Sequence, residues 1–193
     1  MDPSSRGLDM TSEQDRERRC DRIRHLSRLM AAGCLATSFM LVTAMVLYWT
    51  TTPTRTLFSQ AGLANAPVAE IDLAVRALAF GISMVPLAAL VYGLLGARRC
   101  FTAFAAGVIF AREPINGLRD FSVGVAASAF LKPLAGAALS VLLSLHDPAG
   151  TRALMLNIGS DTLIALIFAG TVAAVAWVMV EAMEIADENK QFV

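Results

Sequence analysis

The stretch RRCFTAFAAGVIFAREPINGLRDFSVGVAASAFLKP, residues 98–133, decides what kind of molecule this is. It opens on two arginines, carries Phe101, Phe104, Gly107 and Phe110, and turns at Arg112-Glu113-Pro114. It then enters an apolar run with Lys132-Pro133 near its middle. A charged hinge set between apolar runs, each about 20 residues long and able to cross a ~30 Å hydrocarbon layer, is a membrane hairpin.

Outward from that hinge the same pattern repeats. Apolar residues make up 56% of the 193-residue chain, and the mean hydropathy is +0.59. A soluble domain holds roughly 45–50% apolar residues, so the excess calls for lipid contact. Four spans are expected, over about 29–49, 77–97, 121–145 and 161–180. They imply an all-α, integral membrane four-helix transmembrane bundle, with a short interfacial helix between spans two and three. Phe101, Phe104 and Ala105 supply that helix with an apolar side. Residues 1–28 form an N-terminal arm, 29–180 the transmembrane domain and 181–193 a C-terminal helical tail.

Local signals place the ends. Residues 1–11 are polar and expected to be unstructured. Ser12 with Asp15 resembles a capping box. Tyr48 and Trp49 close span one where an aromatic belt lies. Pro67 suits the start of a helix in the following loop, Pro86 a kink in span two, and Pro114 the first turn of span three. Ser160 is placed to cap span four.

Orientation follows from basic residues near the spans. The arm carries seven arginines, the hinge four (Arg98, Arg99, Arg112, Arg119) and the tail Lys190, against Arg55, Arg76 and Arg152 in the other two loops. Twelve against three places both termini in the cytoplasm.

Lys132 is the residue that most needs an explanation. It lies about 16 Å into span three, where a lysine costs about 2.5–3.5 kcal/mol on insertion scales. No acidic residue lies inside a span to offset it. Candidate partners are Ser128 one turn earlier, Ser38, Thr43, Ser83 and Thr171 on neighbouring helices, and the Ala129 carbonyl that Pro133 leaves unbonded. Two readings stay open: an anion or lipid-head-group site, and a kink held by neutral acceptors. Small residues recur every fourth position at Ser128, Gly136 and Ser140, at Ala89, Gly93 and Ala97, and at Ala165, Ala169 and Ala173. They indicate close packing within the bundle or a dimer face. Glu181, Glu184 and Glu188 make one acidic face, either solvated or docked on Arg98, Arg99, Arg112 or Arg119.

Other chemistry is not signalled. Cys20, Cys34 and Cys100 are too scattered for a disulfide framework or a zinc site. His25 and His146 fall on opposite sides, and no phosphate loop or catalytic motif occurs. Neither a cofactor nor a metal is expected, and the arginines come with no nucleic-acid-binding motif.

Phe101-x-x-Phe104-x-x-Gly107-x-Ile109-Phe110, then Ile115 and Leu118-Arg119, together with Glu181-Ala182, Ile185-Ala186-Asp187-Glu188-Asn189 and Phe192-Val193, resemble the DUF2975 family. That resemblance covers about 26–193. It implies a small four-span protein of the bacterial plasma (inner) membrane, with no established substrate, cofactor or catalytic residue. Some relatives are thought to sit beside small helix-turn-helix regulators, which implies a sensory or regulatory role. The expected function is a non-enzymatic membrane component that acts through partners: the bilayer, a second copy, or another membrane or regulatory protein. The alternative is a small transporter or channel subunit with Lys132 in its path.

Overall fold

The structure is a computed structural model that describes residues 3–52, 73–108, 111–144 and 159–191, with side chains over 21–52, 73–108, 111–142 and 159–185. Four helices account for nearly all of it: α1 (Pro3–Thr51), α2 (Leu73–Ala105), α3 (Arg112–Ser144) and α4 (Ser160–Gln191). Each is long and apolar enough to cross a membrane, and no strand occurs among the described residues. Side-chain hydroxyls inside them turn back onto their own helix, as Ser38 does to the Cys34 carbonyl at 2.8 Å. That is how a hydroxyl finds an acceptor where water is absent.

The helices outrun the expected spans. α1 starts at Pro3, so residues 3–11, expected to be unstructured, are helical, and the Ser12 capping position falls inside the helix. α2 continues without a break through Arg98, Arg99 and Phe101 to Ala105. Among the described residues no separate short helix stands between the second and third spans, because the helix bonds of α2 carry straight through its arginines. The turn after α2 is made at Gly107, whose φ of +82° is one a side chain would strain. The Val108 N–H bonds the Ala103 carbonyl at 3.0 Å and the Gly107 N–H bonds Phe104 at 3.0 Å, the two bonds of a Schellman cap. Pro86 and Pro133 lie inside α2 and α3 without ending them, and Pro114 sits in the first turn of α3. α4 runs on past Glu188, as expected for the tail. The helix expected from Pro67 begins outside the described residues.

Packing joins helices adjacent in sequence: α1 to α2, α2 to α3, α3 to α4. The four therefore form a row open between α1 and α4 among the described residues, rather than a bundle closed around one core. The inner pair is correspondingly better covered, with 22% of each apolar window buried against 6% for α1 and 11% for α4.

The tightest contact is α2 on α3. A Cβ on Gly124 would stand 2.5 Å from the Gly93 Cα and 2.7 Å from the Ala89 carbonyl. One on Gly117 would stand 2.7 Å from the Gly96 carbonyl and 2.8 Å from the Cys100 nitrogen. Ala89 and Gly93 thus belong to a packing seam inside the chain, as their spacing allows. Their partner is Gly124, and seven residues before it Gly117 meets Gly96 and Cys100; neither belongs to the ridge around Lys132. On α4 the buried residues are Thr162, Ala169 and Ala176, again at intervals of seven, while Ala173 is exposed. A seven-residue repeat follows a gently supercoiled neighbour, whereas a four-residue ridge drifts off it.

At the far end of the row Arg76 ties α1 to α2. Its Nε donates to the Trp49 carbonyl at 2.9 Å and its Nη2 to the Thr52 carbonyl at 2.9 Å. These are last-turn carbonyls with no partner within the helix, and a cation suits the negative end of a helix dipole. Replacing Arg76 by Leu should cost about 1.5–3 kcal/mol, the worth of hydrogen bonds to a charged group. The check is hydrogen exchange: the amides of residues 48–52 should lose protection while those of α4 keep theirs.

Candidate polar site within the spans

α3 and α4 run antiparallel, and two contacts set their register. Phe121 meets Phe168 edge-on, ring centroids 6.0 Å apart, and Lys132 forms a salt bridge with Asp161. Asp161 is the second residue of α4, so α4 begins opposite the middle of α3. The remaining turns of α3, from Pro133 to Ser144, extend roughly 18 Å further at 1.5 Å per residue.

Asp161 is thus the partner that Lys132 needs. It lies at the very start of the fourth span, where the expectation that no span holds a carboxylate overlooked it. Its position is favourable on its own account: an anion in the first turn meets the positive end of the helix dipole. The carboxylate also faces the Thr162 backbone N–H. Gly159 leaves room for it, since a Cβ there would collide with Oδ1.

Two of the other polar residues proposed around Lys132 bond elsewhere. Ser83 donates to the Ala79 carbonyl at 3.0 Å, and Thr171 to the Ile167 carbonyl at 2.9 Å, both on their own helices. Thr171 lies ten residues beyond Asp161, about 15 Å along α4. Ser128 is half-buried one turn before Lys132.

The pair faces outward. The Lys132 side chain is 64% exposed and that of Asp161 60%, on helices whose nearby large residues are apolar and uncovered: Phe130, Leu134, Leu163 and Ile164. The arrangement is a net-neutral dipole set in an apolar surface, far from either end of α3.

At the hinge end, Arg99 pairs with Asp120 at 3.4 Å, bridging α2 and α3. Gly96 lies directly under Asp120, and a Cβ there would come within 2.7 Å of the Asp120 Cβ. Among the described residues neither Glu181 nor Glu184 pairs with Arg98, Arg99, Arg112 or Arg119, and both glutamates are exposed. The Glu188 side chain lies outside the described residues. Asp120 wins Arg99 because the short α2–α3 turn holds it next to Arg99, whereas α4 touches mainly α3.

An open cleft of about 490 Å³ lies between the ends of α1 and α2, lined by Val46, Trp49, Leu73, Ala77 and Phe80 with Thr50 and Arg76. No group of three potential metal ligands occurs among the described residues. No family model, no curated protein and no solved structure matches the chain.

Proposed function

We propose that this is a multi-pass protein of the bacterial inner membrane, with both termini in the cytoplasm, that acts without catalysis by holding a partner helix inside the bilayer. The orientation rests on the twelve basic residues that flank one side of the spans. The DUF2975-like hinge and tail agree with a sensory or regulatory component of this kind.

The observation that carries the reading is the Lys132–Asp161 pair, more than half exposed on an apolar helix face. Charged groups inside a bilayer are costly where they face lipid, and in spanning segments they turn towards protein or water. A pair the chain leaves uncovered is a contact point for polar groups on another protein. The transporter alternative loses its main support, because the Lys132 charge is already matched by Asp161 and not free for an anion.

The test is a photoreactive side chain at Ile164, one turn from Asp161 and 66% exposed, in native membranes. Protein adducts should form, and they should vanish when Lys132 and Asp161 are both replaced by Leu. Lipid adducts alone, with or without the pair, would overturn the reading.

A further inference from the structure

We infer that the partner is a second copy of this chain, docked about a two-fold axis along the membrane normal, so that Lys132 of each copy meets the partner's Asp161. The inference rests on the partner-binding reading above and names the occupant of that same face.

Three features select a second copy. The pair is an ion pair of one lysine and one aspartate, so its charge pattern is self-complementary. Rotated by half a turn and brought face to face, two such dipoles place each ammonium beside two carboxylates, forming a closed four-charge cluster. A two-fold interface is the one in which a surface meets itself, which is the commonest closed assembly of identical chains.

Depth is the second feature. The salt bridge lies roughly 18 Å from the end of α3 at Ser144 and further still from Arg112. A foreign helix would need its own polar pair at that same depth, whereas a second copy in the same orientation has one by symmetry.

Unused bonding capacity is the third. An ammonium carries three donors, and the structure gives Lys132 one acceptor, Asp161. The donors left over face the uncovered side, where hydrocarbon offers nothing and the partner's carboxylate offers an acceptor. The surroundings do not obstruct such an approach. Gly136 and Gly170 have no neighbouring atom within 4 Å of where a Cβ would stand, and Ile164 and Ile167 are 66% and 73% exposed.

The experiment is disulfide crosslinking of the full chain in vesicles of uncharged lipid, with the native cysteines replaced by alanine. Ile164→Cys sits next to the pair, and Val123→Cys lies on α3 nine residues before Lys132. Oxidation should give a covalent dimer with Ile164→Cys and at least tenfold less with Val123→Cys. Lys132→Asp and Asp161→Lys, each added to Ile164→Cys, should abolish the dimer when present alone, since each copy then carries two like charges. Mixing the two should restore it, and so should carrying both changes on one chain. That double exchange keeps the salt bridge within the chain, so a folding defect in the single variants does not hide the answer.

Dimer yields that ignore these charge changes would overturn the inference. So would a monomer at Ile164→Cys under every condition. If the chain is monomeric yet Ile164 captures a different membrane protein in a manner that needs the pair, the second-copy inference fails and the partner-binding reading stands. If no protein is captured either way, both fail.

Discussion

Gly124→Leu should separate α2 from α3 and give the largest loss of stability of any substitution in the spans. A Cβ at this position meets the backbone of α2, at 2.5 Å and 2.6 Å from Gly93 and 2.7 Å from the Ala89 carbonyl. Backbone has no rotamer to change, so the helices must move apart. In a bilayer, association depends on close van der Waals fit, because apolar burial from water contributes nothing between helices already in lipid. Overpacking a core costs typically about 1–3 kcal/mol, and Gly124→Ala should already reach that range. Leu adds three carbons in the same gap and should exceed it. The displacement also draws Asp120 off Gly96, breaking the Arg99 salt bridge and exposing Cys100, which is 2% exposed in the native seam. Rapid modification of Cys100 by a thiol reagent in Gly124→Leu, with little in the native protein, is the measurement. Gly136→Ala is the control, with open space around it and a better helix former in place of glycine. It should unfold no sooner than the native protein, and equal effects of the two changes would mean that the Gly93–Gly124 approach contributes little.

That contrast explains which parts of the fold were legible in the sequence. The four apolar runs and the punctuation at Gly107 and Pro114 report on local structure, and local structure is what hydropathy and backbone preference encode. The small residues Ala89 and Gly93 announced a close approach but not its partner. Gly124 becomes their partner only through the register of the α2–α3 hairpin, which is set by a capped turn whose length is hard to read. The same holds more strongly for Lys132. A lone lysine in an apolar run is visible as an anomaly at once. Asp161 lies 29 positions on, beyond a loop, and only the offset between α3 and α4 brings it opposite Lys132. Ser83 and Thr171 were plausible partners by depth alone, yet a hydroxyl in a helix has a carbonyl of its own within reach, and both take it. Glu181 and Glu184 are exposed on α4, and their pairing with the hinge arginines required α4 to reach α2, which the row arrangement does not provide.

Asp161→Leu should weaken the fold more than Lys132→Leu, although each removes one half of the same salt bridge. The difference lies in what the surviving charge has left. With Asp161 gone, the ammonium on Lys132 is left near the middle of the expected apolar run of α3 without a carboxylate, and it faces hydrocarbon. With Lys132 gone, Asp161 still occupies the first turn of α4, where the helix dipole and the Thr162 N–H favour a carboxylate. Replacing both by leucine leaves no orphan charge, and apolar replacements often match or exceed the stability of an ion pair in a low-dielectric setting. The expected order of melting midpoints is therefore the double variant at or above the native protein, Lys132→Leu below it, and Asp161→Leu lowest by several degrees. Purified protein reconstituted at one copy per lipid nanodisc keeps any assembly out of the measurement. Thermal unfolding followed by helix content then reads the pair within a single chain. If Lys132→Leu proves the more damaging of the two, the carboxylate depends on the lysine and not on the helix end, and the placement of Asp161 as an independently stabilised anion is wrong.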